Sequence, residues 1–237
     1  MTNTEALPPQ DKLIDHLSTK DALNIMLSNQ YESFGVLQYN IFKIANVVET
    51  IFKTLKKNDN GRILYAGAGT SARICVQDGV ELYPTFGWPK ERVDFIIAGG
   101  VDALTNSIEN SEDDEFAAVN KIKKLSVGKR DVLIGVAASG DTPFTVSAIK
   151  KARECGALTI GITNNLNTRI EKVSEISIIL DTGYEVLAGS TRLKAGTTQK
   201  VCLNLISTML MVKFGKVKNG MMINMQPNNK KLMKRQE

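Results

Sequence analysis

The sequence predicts a doubly wound α/β domain, a parallel sheet covered by helices on both faces, preceded by a helical arm. Two observations carry this. Five short apolar runs recur after residue 61: RILYA (62–66), VDFIIA (93–98), DVLIGVA (131–137), ALTIGI (157–162) and EISIIL (175–180). Segments of helical character near 70–81, 114–125 and 142–155 intervene, and such strand–helix alternation builds a parallel sheet buried on both sides.

The arm comes first. Over 18–57, Ser18 or Thr19 can cap a helix, Asp21 sits in its first turn, and Leu23, Met26 and Leu27 recur at helical spacing. Ile41, Ile44, Ala45, Val48, Ile51, Phe52 and Leu55 continue an apolar stripe that needs a partner surface. Lys56-Lys57-Asn58-Asp59-Asn60-Gly61 then supplies cations for a helix C-terminus and a stop. After the strands, a last helix over about 194–214 carries Ala195, Val201, Cys202, Leu205, Ile206, Met209 and Val212. No Pro/Gly/Ser linker divides the chain. It is read as one unit: an arm (1–57), a main domain (58–215) and a basic tail (216–237).

Composition excludes several function classes. With 237 residues, 43% hydrophobic and 23% charged, the chain is neither disordered nor a disulfide mini-scaffold. No stretch approaches the roughly 18 apolar residues of a membrane span, and MTNTEALPPQDK lacks a signal-peptide core, so a cytoplasmic protein without membrane contact is expected. Cys75, Cys155 and Cys202 form no CxxC pair and read as small buried hydrophobes. The single histidine, His16, rules out His₂ and His₃ metal sites and lies in a polar segment far from any nucleophile motif. Proton transfer therefore falls to carboxylates, Lys, Tyr or a substrate group.

The formal charge of +5 is localised. Lys213, Lys216, Lys218, Lys230, Lys231, Lys234 and Arg235 against Glu237 put +6 from residue 213 onward, leaving the first 212 residues at −1. The body has no electrostatic footprint for a nucleic acid, and none is expected as a partner. The tail reads as a solvated helix end.

One echo stands out. LYAGAGTSAR (64–73) and IGVAASGDTP (134–143) each run from an apolar strand through a small-residue turn into a hydroxyl-rich helix start. Gly69 and Gly140 let the backbone approach a ligand, while helix-start N–H groups and the hydroxyls of Thr70, Ser71, Ser139 and Thr142 offer donors suited to phosphate. One such turn reads as helix capping; the pair, at the carboxyl ends of two parallel strands, reads as one phosphate crevice. Gly67-Ala68-Gly69-Thr70-Ser71-Ala72 also fits G-x-G-x-x-G/A, but the next strand ends in Ala98-Gly99-Gly100 without the acid that holds a ribose. No P-loop motif occurs. A phosphorylated small molecule is the expected ligand.

Carboxylates follow the first turn. Glu81 precedes Leu82-Tyr83-Pro84-Thr85-Phe86-Gly87-Trp88-Pro89, a rigid aromatic segment able to desolvate it and suit it to acid/base work. The second cluster, IENSEDDE, holds Glu109, Glu112, Asp113, Asp114 and Glu115, most of which read as a solvated helix start.

With GAGTSAR, VELYPTFGWP, IENSEDD, VAASGDTP and GSTRLKAGTTQK in order, residues 18–235 resemble the sugar-isomerase domain family, and within it the N-acetylmuramic acid 6-phosphate etherases. The resemblance implies a flavodoxin-like three-layer sandwich with a parallel sheet of about five strands, a homodimer, and a phosphorylated amino sugar bound near the subunit interface. It implies a lyase that removes the carbon 2 proton, expels D-lactate from carbon 3 and adds water to give N-acetylglucosamine 6-phosphate, with no metal or organic cofactor. Glu81 then matches the main acid/base glutamate and Glu112 a second, with Glu109 in reserve. Ser190, Thr191 and Lys194 match a later block reaching the ligand; Lys194 offsets anionic charge or forms a structural ion pair. Ala72 and Asp141 depart from the commonest family turns, GTSGR and ASGRTP, and a carboxylate beside a phosphate weakens binding unless it points away or contacts a sugar hydroxyl. Two alternatives stay open: a non-catalytic phosphosugar-binding regulatory protein, and a sugar-phosphate isomerase.

Overall fold

The computed structural model describes residues 3–225. Three short 3₁₀ turns (Asn3–Glu5, Gln10–Lys12, Ile14–His16) lead into α1 (Thr19–Tyr39), capped by Ser18 Oγ, which accepts from the Asp21 N–H at 3.2 Å. The arm is two helices. Asn40 breaks it, its amide donating to the carbonyls of Val36 and Ile179 at 3.0 Å, before α2 (Ile41–Lys56) begins.

Five strands follow: β1 (Ile63–Gly67), β2 (Val93–Ile97), β3 (Val132–Ala137), β4 (Leu158–Thr163) and β5 (Ile176–Ile179). All pair in parallel in the order β2-β1-β3-β4-β5, the flavodoxin-like arrangement with its switch point between β1 and β3. Each expected run forms its strand because alternate side chains are buried on opposite faces. Ile63, Tyr65, Val132 and Ile134 pack on one side with α2, α3 (Gly69–Val80) and α8 (Lys194–Lys213). Leu64, Ala66 and Leu133 pack on the other with α5 (Glu115–Lys124), α6 (Pro143–Glu154) and the short α7 (Arg169–Val173). Between α3 and β2, α4 (Leu82–Phe86) plants Leu82 and Phe86 in the core, and Trp88 follows just beyond its end. A hairpin, β6 (Val217–Lys218) with β7 (Met221–Met222), begins the segment read as a tail. Lys230, Lys231, Lys234 and Arg235 lie outside the described residues.

Two expectations need correction. Of the α2 stripe, Ile44, Val48, Ile51 and Leu55 are covered by the chain's own sheet and by α8, while Ile41 and Ala45 stay exposed; α1 buries Asn29, Ser33 and Leu37 and leaves Leu23, Leu27, Tyr31 and Phe34 exposed. Cys75 and Cys202 are buried, but Cys155 is only half-buried at the end of α6. No described helix is long and apolar enough to cross a membrane.

Candidate functional site

The two small-residue turns follow β1 and β3, the strands flanking the switch point, and open onto one cleft of about 490 Å³. Its first wall is Ala68, Gly69, Thr70 and Ser71 at the start of α3. No side chain caps that helix, so its first N–H groups and the positive end of its dipole face the cleft. Gly69 supports the turn with φ of +51°. Ser71 Oγ donates to Gln199 Oε1 at 2.9 Å, and Gln199 Nε2 donates to Asn164 Oδ1 at 2.7 Å, so α8 and the loop after β4 fix this wall.

Ala137, Ala138, Ser139, Asp141, Thr142 and Pro143 form the second wall. Thr142 is the N-cap of α6 without a side-chain cap bond, and Ser139 Oγ lies 3.3 Å from Thr142 Oγ1. Gly140 holds φ of +75°, and a Cβ there would collide with Thr163 and Thr168; it supports the turn from beneath rather than lining the cleft. Asp141 Oδ1 accepts the Arg169 N–H at 2.7 Å, which commits one carboxylate oxygen to the start of α7. The Ala72 methyl is buried behind the first turn and does not line the cleft. Of the two departures from the usual turn pattern, Ala72 lies outside the lining and Asp141 is part of it.

Glu112, Asp113 and Thr191 complete the lining together with Glu5. Arg73, beside the first turn, donates to the carbonyls of Leu104, Ala103 and Asn106 at 3.0, 2.9 and 3.2 Å. It thereby ties α3 to the loop that carries Glu112. Four carboxylates and no Lys, Arg or His line the cleft among the described residues. The groups there that suit an anion are backbone N–H groups, hydroxyls and two helix dipoles.

Other expected site residues lie elsewhere. Glu81 is exposed and lines a separate cleft of about 380 Å³ with Gln77, Thr85, Lys200, Asn204 and Thr208. The aromatic segment after it turns into the core and leaves its carboxylate in solvent, so the desolvated Glu81 expected from sequence is not found within one chain. Glu109 borders an apolar cavity beside β2. Ser190 is half-buried next to Thr191 but not in the lining. Lys194 is 1% exposed and donates to Glu32 Oε2 of α1 at 2.7 Å, outside the cleft.

Sequence reasoning missed Glu5, Gln199, Asn165 and Glu185. The carboxylate of Glu185 is fully buried and accepts the N–H groups of Lys194 and Ala195 at 2.9 and 2.8 Å, capping α8; burial raises its pKa while those two bonds oppose the rise. The uncapped start of α8 was the one available signal, since its orphan N–H groups demand an acceptor.

Residues 43–153 match the glucokinase regulatory protein N-terminal SIS domain, and 119–209 match the SIS domain. The N-acetylmuramic acid 6-phosphate etherase of Oceanobacillus iheyensis is 43% identical over 233 residues, covering 98% of this chain and 78% of that protein. The chain belongs to the N-acetylmuramic acid 6-phosphate etherase family. Another family member, from Geobacillus sp., is 39% identical with the same coverage, 98% and 78%. Among solved structures, a phosphoheptose isomerase from Francisella tularensis has a TM-score of 0.62 at 14% identity, covering 83% of this chain and 100% of that one. The Vibrio vulnificus NanR protein complexed with ManNAc-6P has a TM-score of 0.56 at 14% identity, covering 83% and 66%. At such identities these two establish the fold, and the family rests on the etherases.

Proposed function

We infer that the chain is a carbon–oxygen lyase of the N-acetylmuramic acid 6-phosphate etherase type. The supporting observation is that both phosphate-type turns and Glu112 line one cleft at the switch point of the sheet. The sugar phosphate sits between the starts of α3 and α6, and its opened chain extends toward Glu112. A base takes the proton from carbon 2, acidic beside the aldehyde; the electron pair forms the carbon 2–carbon 3 double bond as D-lactate leaves carbon 3 with a proton from an acid. Water then adds across that bond, giving N-acetylglucosamine 6-phosphate, so one water is consumed per ether cleaved.

Glu112 serves one acid/base role within the chain. Glu81, the second, reaches a cleft from a second copy: we place the working protein as a homodimer in which the exposed Leu23, Leu27, Tyr31 and Phe34 face of α1 is covered. The reaction is assigned to the cytoplasm.

The test is to incubate the purified protein with N-acetylmuramic acid 6-phosphate. D-Lactate and N-acetylglucosamine 6-phosphate should appear in equal amounts, and Glu112→Gln should abolish both while phosphosugar binding persists. Saturable binding with no lactate would replace this reading with a regulatory, non-catalytic one.

A further inference from the structure

The mechanism above leaves one wall of the cleft unused. It comes from far away in sequence: the short turn Asn3–Glu5, whose Glu5 side chain lines the cleft without a part in the proton transfers. Its placement is held at Thr4, which is fully buried. The Thr4 N–H donates to Asn165 Oδ1 at 3.3 Å, its Oγ1 accepts from Asn165 Nδ2 at 3.0 Å, and its carbonyl accepts the Gly189 N–H at 3.0 Å. Both partners lead back to the cleft. Asn165 Nδ2 also donates to the carbonyl of Ala138 in the second turn at 2.8 Å, and the Gly189 carbonyl accepts the N–H of Thr191 at 2.9 Å. Gly189 is also where Glu5 rests: a Cβ there would lie 2.8 Å from Glu5 Oε2.

We propose that Glu5 is a substrate-recognition residue, accepting a hydrogen bond from a neutral donor on the sugar, a hydroxyl or the acetamido N–H, and that Thr4 is its positioning residue. This rests on the phosphosugar reading of the cleft. An ionised carboxylate has acceptors only, and it repels a phosphate, so Glu5 cannot share the phosphate's ligands. The hydroxyls and N–H groups of the two turns are donors matched to the phosphate. Glu5 supplies the complementary chemistry for the rest of the molecule. It also sorts ligands: a phosphosugar brings a donor that offsets the carboxylate, whereas inorganic phosphate brings only its charge.

The test uses the full chain, with Glu5→Ala, Thr4→Val and Thr4→Ser. In lactate release, Glu5→Ala should raise KM about tenfold or more with kcat changed far less, as for loss of one charged hydrogen bond. Calorimetric titration should show the same loss for N-acetylglucosamine 6-phosphate, with inorganic phosphate bound as well as, or better than, by the wild type. Thr4→Val should reproduce the KM effect and Thr4→Ser should restore it. Wild-type KM and phosphosugar affinity in Glu5→Ala would overturn the proposal while leaving the etherase assignment intact. Phosphosugar binding that depends on Glu5, in a wild type that releases no lactate, would keep the proposal and overturn the etherase. Equal weakening of phosphosugar and inorganic phosphate in Glu5→Ala would also overturn it, since Glu5 would then act on the phosphate turns.

Discussion

Thr70 and Glu81 stand at opposite ends of one helix: Thr70 opens the first turn of α3 in the phosphate-type cleft, and Glu81 is its C-cap residue in another cleft. At a rise of ~1.5 Å per residue the two are about 17 Å apart along the axis. A straight helix cannot fold that distance away. If Glu81 acts on a sugar bound beside Thr70, it acts on a neighbouring copy's sugar. Mixed subunits test this. Glu81→Gln and Glu112→Gln should each be inactive alone; after unfolding and refolding together, random pairing should restore about one quarter of wild-type lactate release, because half of the dimers are mixed and each has one intact site. No recovery would place both glutamates at one chain's site, and normal turnover by Glu81→Gln alone would remove Glu81 from the reaction.

Gly140→Ala should be poorly tolerated. Its positive φ and the collision of a Cβ with Thr163 and Thr168 together predict a loss of about 2–5 kcal/mol. Urea unfolding measures it. A change below about 0.5 kcal/mol would mean that the turn relaxes freely.

Lys194→Met separates the two roles that sequence left open. The buried ammonium pairs with Glu32, whose side chain is 50% exposed, so the expected destabilisation is about 1–2 kcal/mol, less than for a fully buried pair. KM for the phosphosugar should change less than about threefold, a shift worth well under 1 kcal/mol. A large KM effect at unchanged stability would make Lys194 a ligand contact.

Glu185 gives a pH dependence with a definite sign. Its folded pKa lies above the ordinary carboxylate value because burial penalises the charged form. Its contribution is therefore complete below the unfolded-state pKa and declines as pH rises through the folded-state value. The stability difference between wild type and Glu185→Gln, from urea unfolding at several pH values, should be largest in acid and shrink toward neutrality. A difference growing with pH would mean that the α8 N–H groups dominate over burial.

The strands were legible because each is a short apolar run bounded by turns, and the paired turns because their Gly and hydroxyl residues are local signals. Burial on α1 was not legible: its apolar residues recur at helical spacing, yet Asn29, Ser33 and Leu37 are the residues it buries, and periodicity cannot say which neighbour a face meets. Thr4, Asn165 and Gln199 escaped for a related reason. Each acts through a hydrogen bond to a residue more than thirty positions away, a relation that no local pattern encodes. Glu81 shows the limit of motif matching, which supplies a residue but not the cleft that it lines.

The amides and hydroxyls that line the cleft at the starts of α3 and α6 do not change their charge in ordinary buffers. On the proposed reading, affinity for the anionic end follows the ionisation of the phosphate and not of the groups that grip it. The rate can answer to proton traffic on the glutamates. Acidity would thus act on turnover through the glutamates, and on the bound molecule's foothold only through the phosphate's own ionisation.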